Sequence, residues 1–165
     1  MNTFIQSKKS YATALLITGF IAGTLDILSA FISYYLATGT NPLKVLNYVA
    51  SGAFGKTTAY AGGAGMALLG LLFHYLIAYA FTVFFFLLYP RLKLVVVNKF
   101  LMAVIYGLFT WLVMNKLVVP LSNIVPPATF NWGNAIKNML ILIFMIGLPI
   151  SLGASKYYSP MKECL

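Results

Sequence analysis

The sequence predicts an all-α fold of the integral membrane kind: a four-helix bundle with a short interfacial helix between the first two spans. Three observations predict it. Hydrophobic residues fill 61% of the 165 positions and charged residues only 8%, whereas a soluble domain carries about 25% charge. Mean hydropathy is +0.91, so lipid rather than water must solvate most of the surface. Four apolar runs reach the roughly 20 residues that a helix needs to cross the hydrocarbon core, and each is bounded by a charge, a proline or a glycine.

The first run covers about residues 11–36. Lys8 and Lys9 precede it, as in a secretory signal, but it far exceeds a signal's apolar core and Asp26 interrupts it, so it reads as a retained helix. A connection follows in which Asn41 is a good N-cap and Pro42 a good first helical residue, which predicts a short helix over 42–53. Leu43, Leu46 and Ala50 share one face of it; Lys44, Asn47 and Ser51 lie elsewhere. That pattern suits a helix at the membrane surface or tucked against the bundle. The second span is expected over 61–89, followed by a short basic loop over 90–98. The third is expected over 100–119. A loop carrying Pro120, Pro126, Pro127 and an interfacial Trp132 leads to the fourth span, 135–154, in which Pro149 should produce a kink. Residues 1–165 thus form a single transmembrane domain, without internal repeats or low-complexity tracts.

Net charge is +9, from 11 Lys and Arg against the two acids Asp26 and Glu163. In a soluble chain such a balance would suggest nucleic acid. Here topology signals and contacts with anionic lipid account for it, and no nucleic-acid partner is expected. Lys8, Lys9, Arg91, Lys93, Lys99, Lys156 and Lys162 fall on one side of the membrane; Lys44, Lys56, Lys116 and Lys137 fall on the other. The richer side should be cytoplasmic, which puts both termini inside. Cys164 is the lone cysteine. It has no partner for a disulfide in the chain and is misplaced for a C-terminal prenylation box.

The segment Ala50-Ser51-Gly52-Ala53-Phe54-Gly55-Lys56-Thr57 fits a relaxed nucleotide-binding loop pattern, with alanine in place of the first glycine. That mechanism needs a preceding strand, a following soluble helix and an acid to help hold Mg²⁺. None is available between two membrane spans, so the segment reads as a glycine turn with a snorkelling lysine and no nucleotide is expected.

The informative residues are polar ones within the spans. An acid at mid-membrane costs about 2.5–3.5 kcal/mol on insertion scales, so Asp26 should face the interior. Gly19, Ala22, Gly23, Asp26, Ser29, Ala30 and Ser33 recur at helical spacing and form one small, polar stripe. Gly19 and Gly23 make a small-xxx-small pair that admits close approach of another helix. The second span carries a matching stripe of Gly63, Ala67, Gly70, His74, Ala78 and Thr82. Counted from the outer ends, Asp26 and His74 each lie roughly 15 Å deep at the helical rise. Antiparallel neighbours would bring them into a hydrogen bond or ion pair, direct or through water. Asn115, near the outer end of the third span, shares a face with Gly107 and Trp111. It either caps this polar cluster or binds loop carbonyls near Pro120.

The aromatic stripe of Tyr75, Tyr79, Tyr106 and Phe81–Phe86 reads as packing and lipid-facing surface before a ligand pocket. With one histidine, two acids and one cysteine, bis-histidine haem is impossible and a zinc or iron site lacks ligands, so no metal or cofactor is expected.

Three stretches carry a resemblance: residues 50–55; Gly62-Gly63 with Leu69-Gly70-Leu71-Leu72-Phe73-His74-Tyr75-Leu76-Ile77-Ala78; and Met114-Asn115-Lys116-Leu117-Val118-Val119-Pro120-Leu121-Ser122. Together they resemble a family of uncharacterised small bacterial membrane proteins with four predicted helices. The resemblance spans roughly residues 23–122. It implies a bacterial inner membrane and a four-helix fold, and it implies no activity.

Three functions fit these observations. The first is a non-enzymatic membrane component, an accessory or assembly subunit, whose polar cluster glues helices. The second is a small transporter or ligand-binding protein, oligomeric because one four-helix bundle has little room for a pore, using Asp26 and His74 for protons or a small polar solute. The third is an intramembrane enzyme with His74 as base and Asp26 orienting it.

Overall fold

The computed structural model describes residues 10–95, 98–124 and 131–159. Lys8, Lys9, Pro126, Pro127, Lys162, Glu163 and Cys164 lie outside them. The described residues are helical with short connections. They comprise α1 (Tyr11–Thr38), α2 (Lys44–Phe54), α3 (Lys56–Ala61), α4 (Gly63–Val95), α5 (Lys99–Val113), a π-helical turn (Met114–Val118), α6 (Val119–Leu121), α7 (Trp132–Leu142), a second π-helical turn (Ile143–Gly147) and α8 (Leu148–Tyr158). Four stretches are long and apolar enough to cross a membrane: Tyr11–Thr38, Gly63–Leu92, Lys99–Leu121 and Trp132–Tyr158.

Local chemistry sets the ends. Gly39, at φ +63°, closes α1 through its N–H to the Tyr35 carbonyl. Asn41 accepts from the Leu43 N–H at 2.9 Å and so organises the turn leading into α2. Asn98 accepts from the N–H groups of Phe100 and Leu101 at the start of α5, and Asn131 accepts from that of Asn134 at the start of α7. Asn98 and Asn131 thereby satisfy donors that a helix leaves unpaired at its N-terminus, whereas α2 starts at Lys44, two residues later than expected, with Leu43 rather than Asn41 as its N-cap.

Prolines shape three of the four long helices. Pro90 was expected to end the second span, yet α4 runs through it to Val95. Proline removes the N–H that would bond the carbonyl four residues earlier. That carbonyl belongs to Phe86, and the Tyr158 hydroxyl donates to it at 3.1 Å. Pro120 and Pro149 each stand two residues past the end of a π turn. In these turns the N–H of Val119 reaches back to Met114 and that of Leu148 to Ile143. The wider turn rearranges the bonding ladder just where a proline ring would otherwise meet the preceding carbonyl.

The long helices pack as an antiparallel set, α1 against α4 and α8, and α5 against α8 and the second π turn. The core has two parts. Near the N-terminal end of α1, Ala22, Phe85, Phe86, Tyr89, Met102, Tyr106, Ile146, Ile150 and Ala154 form the larger cluster. Its aromatic rings interlock: Tyr11 meets Phe86 edge-on, Tyr89 stacks on Tyr158 at 5.3 Å, and Phe85 packs on Tyr106 at 4.4 Å. Near the other end, Ile27, Leu46 and Ala67 join α1, α2 and α4.

Glycines mark where backbones meet. A Cβ on Gly70 would strike the Leu46 carbonyl of α2, one on Gly147 the Ala103 carbonyl of α5, and one on Gly107 the backbone of Ile143. Gly70 therefore makes room for α2 rather than for α1. Gly63 has no neighbour within 4 Å of such a Cβ; its φ of +54° serves the bend between α3 and α4 instead.

The Gly70 contact gives a direct test. Gly70→Ala is expected to destabilise the protein in detergent micelles by about 1–3 kcal/mol, as overpacking does. Gly65→Ala, on the same helix with open space around it, is expected to be neutral or to stabilise by up to about 1 kcal/mol through helix propensity. Equal thermal shifts for the two variants would count against the α2–α4 contact.

Candidate functional site

The small stripe of α1 meets α4 as expected, but tyrosine rings fill the space that the glycines leave. A Cβ on Gly19 would fall 2.5 Å from the Tyr79 ring and one on Gly23 would fall 3.0 Å from the Tyr75 ring. Tyr75 stacks on Phe20, with centroids 5.8 Å apart, and its hydroxyl lies 2.8 Å from the Thr24 hydroxyl. The Tyr79 hydroxyl donates to the Leu16 carbonyl at 3.1 Å. Tyr75 and Tyr79 of the aromatic stripe are therefore part of the α1–α4 contact, whereas Phe84 and Phe85 meet Phe109 and Tyr106 of α5.

His74 sits in the same contact. Its Nε2 lies 2.8 Å from the Gly23 carbonyl oxygen. Asp26 lies on the next turn of α1 and within electrostatic reach of the imidazole. Both side chains are half-buried. The expectation from the sequence is a hydrogen bond or ion pair, direct or through water; among the described residues no direct one joins them, and Nε2 bonds a main-chain acceptor one turn away. Ser29 turns its hydroxyl to its own helix, donating to the Asp26 main-chain carbonyl at 2.7 Å. Neither Ser29 nor Thr24 is thus held by His74 as an activated nucleophile would be.

Asn115 does not join this pair. It is exposed, and its Nδ2 donates to the Trp111 carbonyl at 2.8 Å, where α5 passes into the first π turn. Gly107, on the same helix, serves the crossing with the fourth span. The stripe on α4 is divided: Ala67 and Gly70 face α2, whereas His74, Ala78 and Thr82 face α1.

A second polar cluster was not foreseen. Asn47, placed off the apolar face of α2 by the sequence pattern, is 8% exposed. Its Nδ2 donates to the Ala59 carbonyl at 2.8 Å and the Gly63 carbonyl at 3.1 Å. It thereby ties α2 to α3 and to the start of α4: the Ala59 carbonyl lies in the last turn of α3, where carbonyls lack helical partners, and the Gly63 carbonyl opens α4. Ser51 is buried beside it and donates to the Tyr48 carbonyl. The sequence signal is an asparagine between apolar residues, Val45-Leu46 and Tyr48-Val49, followed by glycines at 52 and 55. Beyond it, the Asn123 N–H bonds the Gly52 carbonyl at 2.9 Å and its Nδ2 bonds the Ala53 carbonyl at 3.0 Å, joining the end of the third span to the end of α2. The segment that fits the nucleotide-loop pattern is these helix ends: the last turns of α2, Gly55 at φ +77°, and the first turn of α3 with Lys56 exposed.

Tyr48 and Tyr60 stand on α2 and α3. Burial pushes both phenols above their ordinary range, and Tyr34 and Tyr48 add to the effect at Tyr60. Both stay neutral at physiological pH. Among the described residues, no group of three His, Cys, Asp or Glu side chains is close enough to hold a metal ion.

No family model, curated protein or solved structure matches the chain.

Two measurements probe these contacts. A double-mutant cycle of Thr24→Val and Tyr75→Phe is expected to give a coupling energy of about 0.6 kcal/mol, the average for hydrogen bonds between membrane helices; strict additivity would remove the bond from the account. Asn47→Ala removes both bonds and leaves the Ala59 carbonyl, in the last turn of α3, without its side-chain donor; it is expected to lower unfolding stability by about 1–3 kcal/mol.

Proposed function

We propose that the chain is a multi-pass integral membrane protein of the bacterial inner membrane with both termini in the cytoplasm. In this reading it acts as a non-enzymatic component, an accessory or assembly subunit, whose buried polar groups hold the spans in register. The observation that carries this reading is where the polar side chains between spans end. His74 bonds the Gly23 carbonyl, Tyr79 that of Leu16, Tyr106 that of Phe81, Ser151 that of Lys99 and Tyr158 that of Phe86. Each is a side chain of one span on the backbone of another. This arrangement tethers one helix to the next.

The four apolar helices support the membrane placement. Their outward faces are rich in exposed Leu, Ile and Phe, including Leu16, Phe20, Ile32, Leu68, Leu72, Leu76 and Leu87, a surface suited to acyl chains. Lysines at both ends and tyrosines on α2 and α3 support α2 as the interfacial helix. The resemblance noted above favours the bacterial inner membrane, and the lysine asymmetry favours internal termini.

Extraction and labelling test this together. The chain is expected to stay with the membrane pellet in alkaline carbonate. Cys164, its lone cysteine, is expected to resist a membrane-impermeant maleimide in intact spheroplasts and to react after permeabilisation. Release into the supernatant overturns the membrane assignment; labelling of intact spheroplasts overturns the orientation.

A further inference from the structure

The hydrogen bond between His74 and Gly23 fixes the chemistry of the imidazole. A carbonyl oxygen only accepts, so Nε2 carries a hydrogen, and Nδ1 is the ring atom at which a proton is gained or lost. The Gly23 carbonyl points along α1 toward its C-terminal end, as helix carbonyls do. The residue three positions along on the same face is Asp26.

Among the described residues, no donor is engaged with the Asp26 carboxyl. The neighbouring hydroxyls are committed elsewhere, Ser29 to a main-chain carbonyl and Thr24 to Tyr75. Nor does a third charge intervene. On α4, Tyr75 and Tyr79 are hydrogen-bonded to α1. On α2, Asn47 is bonded to main chain and Lys44 is exposed. The lysine of α7, Lys137, is exposed, the second π turn has no titratable side chain, and Lys156, Tyr157 and Tyr158 of α8 lie at its far end. The His74 imidazole, held on the Gly23 carbonyl one turn before Asp26, lies within electrostatic reach of the carboxyl.

We propose that Asp26 and His74 form a single proton-binding site, whose ligand is one hydrogen ion shared between the carboxyl and Nδ1. With one proton the pair is neutral overall, as carboxylic acid with neutral imidazole or as carboxylate with imidazolium. Removing the proton leaves one net negative charge, and adding a second leaves one net positive charge; hydrocarbon disfavours both. This goes beyond the tethering role of His74, since the bond to Gly23 is kept in every state. It rests on the membrane placement of α1 and α4, which carbonate extraction tests separately.

Because the chain has one histidine, the full-length protein labelled with ¹⁵N-histidine gives a single set of ring signals in detergent micelles. The neutral ring is expected to be protonated at Nε2. Asp26→Asn is expected to displace the ring's titration by about one pH unit or more, a tenfold change in proton affinity. Asp26→Glu should stay near the wild type. Thr24→Val, which breaks the adjacent tie but keeps the acid, should leave the curve unchanged. In parallel, His74→Gln is expected to change the rate at which a hydrophobic carbodiimide adds to Asp26 by tenfold or more, read as a mass adduct on the intact chain; this arm stands even where Asp26→Asn fails to fold. Superimposable titrations of the wild type and Asp26→Asn, a neutral ring protonated at Nδ1, an equal displacement by Thr24→Val, or an unchanged carbodiimide rate each overturn the proposal.

Discussion

The four long helices are apolar enough for hydrocarbon, where a backbone carbonyl has no water to turn to, and that constraint accounts for how the chain treats its carbonyls. Leaving one unpaired costs several kcal/mol in such a medium, which is why the apolar runs become helices. Prolines are the exceptions, and the chain accommodates them in two ways. At Pro90 the helix continues and a tyrosine from the opposite end of the sequence supplies a donor to Phe86. At Pro120 and Pro149 the helix widens into a π turn first. The second π turn also carries Gly147, which lets α5 come close enough for its Ala103 carbonyl to touch the fourth span.

The same need explains the choice of polar residues between spans. Tyrosine, serine, histidine and asparagine can each donate to a carbonyl that already accepts within its own helix, since a carbonyl oxygen has two lone pairs. These side chains join helices without removing any helical bond. The glycines complement them. Gly19 and Gly23 are small where Tyr79 and Tyr75 are large, so rings with polar tips reach across an interface otherwise made of flat apolar contact.

Much of this architecture is legible in the sequence because length and apolarity are one-dimensional properties. The four long helices correspond to the four apolar runs, and a short α2 follows Asn41-Pro42, although it starts at Lys44 and is not capped by Asn41. What escaped depended on partners distant in sequence. Pro90 reads as a helix stop until Tyr158 is seen beside Phe86. Asn47 reads as a surface residue until the carbonyls of Ala59 and Gly63 converge on it. Depth counting puts His74 level with Asp26, but it cannot reveal that the ring would bond Gly23, one turn earlier, because every residue offers the same carbonyl. Asn115 shows the converse: a polar side chain near a membrane surface was available for a distant cluster and instead satisfied a carbonyl four residues back.

The clasp of Asn123 on the last turn of α2 has a mechanical consequence. The end of the third span grips α2 by two hydrogen bonds, and α2 lies with its Leu46 carbonyl against Gly70 of the second span. Two long helices that share little direct surface on that side are thereby yoked through a short one. A piston-like slide of either helix along its own axis must drag the short helix with it or break the clasp. The loop side of the molecule therefore behaves as a stiff cap, and relative sliding of the spans is left to the opposite side, where packed aromatic rings provide the contact.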